Sequence, residues 1–283
     1  MRLRVQLAAV GMAWALTCGA TMAQAPAFAW PGGQRAAVSL SYDDAVPSQL
    51  DNAIPALDRH GLKGTFYLIL GAQTVRERLE DWRAAARNGH ELGNHSLFHQ
   101  CSAQGPGREW VQPEQDLDAT SVAQMRAQVE LANTMLHAID GSTEFTYTAP
   151  CGDQRASDGN YIEAIAPLFL GIKLVGGAAI PDMLALDRAA VPVTVPVDMS
   201  GAELIALVEE AGRLGTMINF TFHGIGGDHL SIGNQAHEQL LAFLAAHRDR
   251  YWTATFREQM RWVRARQAQA ANGVAEISPA PAR

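Results

Sequence analysis

Ala36-Ala37-Val38-Ser39-Leu40-Ser41-Tyr42-Asp43-Asp44 is an apolar run that ends in two adjacent carboxylates. Residues 36–41 read as a β-strand. Residues 47–60 follow as a helix, with Pro47 near its start and Gly61 at its stop. Residues 65–70, Thr-Phe-Tyr-Leu-Ile-Leu, return as a second strand rich in aromatic and branched side chains. Strand, helix and strand in this order form the unit of a parallel sheet.

The pattern repeats outward from there. Residues 76–87 read as a helix ending at Asn88-Gly89, and residues 90–94 as a short strand. Residues 101–120 are rich in Gly, Pro and polar side chains and carry Trp110, so they read as a long irregular loop, a kind that is usually functional or disordered. A long helix (121–139), a strand (145–149), a short helix (161–167) and a strand (169–175) come next. Residues 191–197 are strand-like despite their prolines, 202–213 helical, 217–222 a strand, 235–248 helical and 251–255 a last strand. A final helix runs from Phe256 to about Ala270, and residues 272–283 read as a disordered tail. The alternation places residues 26–271 in one α/β domain with a mostly parallel sheet covered by helices. Periodicity does not decide between an open sheet and a barrel. In a barrel the site would lie where the strands end.

The first 25 residues differ in kind. Arg2 and Arg4 form a positive start, residues 5–16 are almost wholly apolar, and Ala23-Gln24-Ala25 has the small-x-small pattern of a cleavage site. They read as a signal peptide, cleaved after Ala25, that delivers the chain to the periplasm or beyond. That segment carries two Arg and no acid, so its loss takes the net charge from −7 to −9. So acidic a chain is a poor partner for nucleic acid or an anionic membrane, and an uncharged glycan suits it better. No internal run is apolar enough to suggest a membrane span. Cys101 and Cys151 remain of the three cysteines, an even pair that in an exported protein suggests a disulfide, with two unrelated buried thiols as the alternative.

Three segments at predicted strand ends carry the chemistry. Asp43-Asp44 alone would read as a helix cap. His95-x3-His99 offers two imidazoles four apart, which on one helical turn can share a metal. Ile218-Asn219-Phe220-Thr221-Phe222-His223 ends an apolar strand in a single histidine. Together, one Asp and two His make a three-ligand set that leaves positions for water and substrate, as catalytic zinc requires. A second carboxylate can serve as base and a further histidine as acid.

These segments, with Ala149-Pro150-Cys151-Gly152, Gly89-His90-Glu91-Leu92-Gly93 and Lys63-Gly64-Thr65-Phe66-Tyr67, resemble in order and spacing the polysaccharide deacetylases, the NodB-homology or carbohydrate esterase family 4 group. The resemblance spans about Ala36 to Val263. It implies a distorted (β/α) barrel and a divalent metal held by Asp44, His95 and His99, most often zinc, with cobalt or nickel as alternatives. It further implies Asp43 as base, His223 as acid, the backbone N–H of Cys151 at the oxyanion, and an acetylated polysaccharide as substrate. By the same geometry Cys101 and Cys151 approach the metal from different strands, which favours their pairing, while Cys151 as an extra metal ligand is a further option. An N-acetylglucosamine-type glycan is favoured. An O-acetyl xylan esterase and a catalytically silent glycan-binding barrel are the alternatives.

Four positions depart from the family pattern. Thr148 stands where an arginine orients the base, Gln100 replaces a proline, Ala45 a glycine, and Cys151 an aromatic residue. A threonine cannot grip a carboxylate as a charged bidentate partner. The Asp-Asp-aromatic motif that tunes the acid has only Asp198 as a weak candidate. Trp110 reads equally as a sugar-stacking platform or a loop anchor, and Pro150 as a substrate contact. His90 and His229 read as ordinary loop histidines, with support of the metal site as the alternative, and His237 as a packed helix residue.

Overall fold

The computed structural model describes residues 28–176 and 182–277. The expected signal peptide and its cleavage site therefore lie outside the described residues, as do residues 278–283. Eight strands form one sheet: β1 (Ala36–Asp43), β2 (Thr65–Leu68), β3 (Glu91–Asn94), β4 (Phe145–Thr148), β5 (Phe169–Val175), β6 (Val191–Val193), β7 (Met217–Phe222) and β8 (Tyr251–Thr253). β7 pairs with β1 along its length, from Ala37↔Met217 to Tyr42↔Phe222. The other edge of β1 is shared: β8 pairs with Ala36 to Val38, and β2 with Ser41 to Asp43. From β2 the sheet runs through β3, β4, β5 and β6, every pair parallel. One bridge, Thr194↔Phe220, returns to β7 and brings the sheet nearly to a closed barrel. The Thr194 N–H donates to the Asn219 carbonyl (2.8 Å) and its carbonyl accepts from the Thr221 N–H (2.9 Å).

Alternation along β1 sorts its side chains. Ala36, Val38, Leu40 and Tyr42 face the outer helices in the main apolar cluster. Ser39, Ser41 and Asp43 share the opposite, inward face, where small polar groups fit a narrow interior. The outer helices carry strong boundary signals. α4 (Val122–Asp140) and α6 (Gly201–Leu214) each begin with a capping box, Ser121/Gln124 and Ser200/Glu203, and end on left-handed Gly141 and Gly215. At the N-terminal end of the barrel sits α8 (Phe256–Ile277). Its Arg257 N–H donates to the buried Glu91 carboxylate (2.8 Å), which also accepts from Thr65 (2.9 Å) and Thr146 (2.5 Å). The negative charge faces the positive end of the helix dipole. α8 continues to Ile277, past the expected end near Ala270. No helix of the described residues is long and apolar enough to cross a membrane.

His237, on α7 (Asn234–Ala246), packs edge-on against the Tyr42 ring, and its Nε2 lies 2.7 Å from the Tyr42 hydroxyl. Burial lowers its pKa from 6.5 to about 4. The folded chain thus keeps this ring neutral while an unfolded chain takes up a proton below pH 6.5. Between these values the unfolded state binds more protons, so stability is lost as pH falls from 6.5 to about 4. The expected loss is about 3 kcal/mol. Urea melts at pH 7 and pH 4.5 should show it, and His237→Gln, which keeps an acceptor for Tyr42, should flatten that part of the acid limb.

Candidate active site

The chain leaves β1 through two residues in the left-handed region, Asp44 (φ 80°) and Ala45 (φ 56°). A glycine would hold the second position without steric cost, which explains the family preference there. The tight turn aims both carboxylates at the barrel mouth. Asn94 ends β3 with its side-chain amide donating to the Val129 carbonyl (3.0 Å) and its Oδ1 accepting from the Ser96 N–H (2.7 Å). Ser96 (φ 63°) and His99 (φ 56°) are left-handed, so residues 95–99 form a loop and not the expected helical turn. The Ser96 hydroxyl accepts from the His99 N–H (2.9 Å) and closes that loop.

This folding brings His95, His99 and Asp44 together. Nε2 of His95 lies 3.1 Å and Nε2 of His99 3.3 Å from Asp44 Oδ1. Asp44 Oδ1 is buried and makes no hydrogen bond among the described residues. His95 Nδ1 lies 2.9 Å from the Thr148 carbonyl, an acceptor, so Nδ1 carries the hydrogen and Nε2 is left with its lone pair toward Asp44. A buried carboxylate oxygen that makes no hydrogen bond, beside two imidazole nitrogens, is a donor set that suits a cation. The three residues fit a divalent metal. His99, Cys101 and Cys151 also lie close together, but their two sulfurs are bonded to each other and offer no thiolate.

Asp43 is buried beside this group. Its Oδ2 accepts from the Thr148 hydroxyl (3.2 Å), and its Oδ1 makes no hydrogen bond among the described residues. Burial raises its carboxyl, and the charges of His95, His223 and Lys173 offset this only in part. Burial would likewise raise Asp44, but the imidazoles of His229, His95 and His99 outweigh it and hold that carboxyl well below the usual range. His223, at the end of β7, has Nε2 3.8 Å from Asp44 Oδ2, and burial lowers it. Its Nδ1 has no hydrogen-bond partner among the described residues, so Asp198 does not serve it.

One residue at the site, Lys173, escaped the sequence reading, and another, His229, takes the place given there only as the alternative. His229 is not an ordinary loop histidine: its Nε2 lies 2.7 Å from Asp44 Oδ2. Its loop is tied down by the Ile225↔Ile232 bridge and by the Asp228 carboxylate, which accepts from the Ser48 N–H (2.8 Å). Only the proximity to His223 in sequence hinted at it. Lys173 on β5 is the register partner of Thr148 and lies fully buried inside the barrel, donating to Ser39 (3.0 Å) and Ser41. Burial lowers it to about 7, opposed by Asp43 and Glu91. His90, by contrast, is buried away from the site between the Gly64 N–H and Asp58.

Cys101 and Cys151 form a disulfide across a separation of 50 residues. With the Cys101↔Asp116 bridge and the Arg108–Asp153 ion pair (2.9 Å), it fixes the loop of residues 101–120 against the turn Pro150–Gly152. In a Cys101→Ser/Cys151→Ser variant, chain entropy predicts a loss of about 2–4 kcal/mol, measurable by thermal melting. Trp110 on that loop is half exposed, tilted against the His99 ring at 6.3 Å, and lines the cavity over the site. Pro150 is buried and does not line that cavity, which corrects its expected substrate contact, whereas Cys151 and Gly152 do line it.

A family model described as polysaccharide deacetylase matches residues 31–165. No curated protein matches the chain. Among solved structures, a Mycobacterium smegmatis protein assigned as a polysaccharide deacetylase is 16% identical with a TM-score of 0.59, covering 92% of this chain and 99% of that one. The CE4 domain of a multidomain xylanase from the hindgut metagenome of Trinervitermes trinervoides is 19% identical with a TM-score of 0.50, covering 81% of this chain and 90% of that one. Such low identities show the fold.

Proposed function

We propose, from the match of residues 31–165 to the polysaccharide deacetylase model and the shared fold, that the chain is an exported, metal-dependent hydrolase that removes acetyl groups from a carbohydrate polymer. The observation that carries this reading is the convergence of Asp44 Oδ1 with the Nε2 atoms of His95 and His99, beside a second buried carboxylate. A divalent cation held there, zinc on its imidazole content, would polarise the acyl carbonyl and acidify water. Asp43 takes the proton of the attacking water through its unclaimed Oδ1. The Thr148 hydroxyl steadies Asp43 with one neutral hydrogen bond where the family arginine would give two charged ones. The Cys151 amide faces the developing oxyanion. His223 Nε2 gives a proton to the leaving nitrogen or oxygen, and His229 holds the second oxygen of Asp44.

Acetate release tests this reading: metal-stripped protein, with and without zinc, on N-acetylglucosamine glycans and O-acetyl xylan. Zinc-dependent release supports it, and the favoured polymer separates amide from ester substrates. A second reading, a silent glycan-binding barrel, draws on the absent arginine and the unpartnered Nδ1 of His223. Glycan binding without acetate release in the zinc-loaded protein would favour that one.

A further inference from the structure

Resting on the reading of this site as an acyl hydrolase, we infer that its substrate carries hydrocarbon next to the scissile group, either as an acyl chain longer than acetyl or as an apolar alcohol or amine. The cavity over Asp43 and Asp44 is about 690 Å³. That is the size that takes a drug-sized ligand, where a sugar acetyl alone needs a small part of it. Its polar side chains are those of the reaction centre, with Thr221 besides. Among the described residues no Asn, Gln, Arg, Lys or Glu side chain lines it, although pyranose hydroxyls are usually held by such planar or charged groups. The larger side chains of the remaining wall are aliphatic and aromatic: Val46, Ile69, Trp110, Val193, Val195 and Leu230.

The mouth carries the same chemistry outward. Of the six large apolar side chains exposed among the described residues, four stand on loops around the site: Phe98, Trp110, Val197 and Leu230. Phe98 belongs to the His95–His99 loop, and Val197 follows Val195 of the wall. Single exposed apolar residues need no account, but Trp110 and Leu230 line the cavity itself, and exposed apolar side chains at a cleft mark a binding surface. Leu230 sharpens the point. It is 47% exposed and sits at φ 45°. A branched side chain is unfavourable in that backbone region, where Asn or Gly is at ease, and gains little there from burial. A residue that is strained and exposed at a cavity rim is placed for what it touches.

The test is a chain-length series with the zinc-loaded mature chain. One arm lengthens the acyl group of 4-nitrophenyl esters from acetyl to butanoyl, hexanoyl and octanoyl. The other lengthens the alcohol of acetate esters. In at least one arm kcat/KM should rise by about fourfold per added methylene, carried by KM, up to about hexanoyl length. The arm that rises says which side of the scissile bond lies in the apolar cleft. Leu230→Asn, which suits the backbone, should flatten the dependence without unfolding the chain. Acetyl hydrolysis that falls with length in both arms would overturn the inference and leave the proposed function standing. If no ester is hydrolysed, acetate release from glycans still decides the proposed function, and calorimetry of N-hexanoylglucosamine against N-acetylglucosamine decides the inference: equal or weaker binding of the longer acyl group overturns it. A flat series together with a dimer that Leu230→Asn dissolves would assign the rim to a second copy of the chain and also overturn it.

Discussion

Asp43→Asn should lower turnover by about two to four orders of magnitude while the protein still binds one zinc per chain. The amide matches the carboxylate in size, so the packing around it is kept. Asp43 is 4% exposed, and its Oδ2 already receives the Thr148 hydroxyl. Only Oδ1 is unclaimed, and a base needs it as an acceptor with a full lone pair. An amide nitrogen there donates, and an amide oxygen is far too weak to hold a proton. Metal content should survive because Asp43 stands apart from the three proposed ligands: His95 Nε2 lies 3.9 Å from its Oδ2 but 3.1 Å from Asp44. Acetate release and atomic absorption on the same sample check both halves. Full activity in Asp43→Asn would remove the base assignment. Loss of zinc along with activity would make Asp43 a ligand instead.

The second large effect belongs to the double variant His95→Ala/His99→Ala. It should hold no zinc at micromolar concentrations and release no acetate. Loss of a neighbour that merely orients a ligand costs about 10–100-fold in metal affinity, and removing two direct ligands must cost more. Stability gives a readout independent of activity. Zinc at about a hundred times its Kd should stabilise the native wild-type chain by about 2.7 kcal/mol and leave the variant unchanged. Equal zinc-induced shifts in the two proteins would place the metal elsewhere.

Much of the architecture can be read from local pattern. Met217-Ile218-Asn219-Phe220-Thr221-Phe222 reads as a strand and is one over those residues. The ends of α4 and α6 follow from Ser, Gln or Glu and Gly at their caps, because each cap is a hydrogen bond made within a few residues. The pairing of Asp43 with Asp44 and of His95 with His99 is likewise visible, since a turn or a short loop brings together what the chain already places side by side.

What only the tertiary structure decides are contacts between distant segments. The bridge from Thr194 to Phe220 that nearly closes the barrel leaves no periodic mark, because it involves one residue on each side. His229 reaches Asp44 across 185 positions, a contact at which its place near His223 only hints. Thr148 reads as the loss of an arginine, yet the fold sets its hydroxyl on Asp43 and its register partner Lys173 inside the barrel. Local hydrogen bonding and side-chain alternation specify where strands and helices begin and end. The packing of the barrel specifies which side chains meet at its mouth, and there this chain departs from the pattern its motifs suggest.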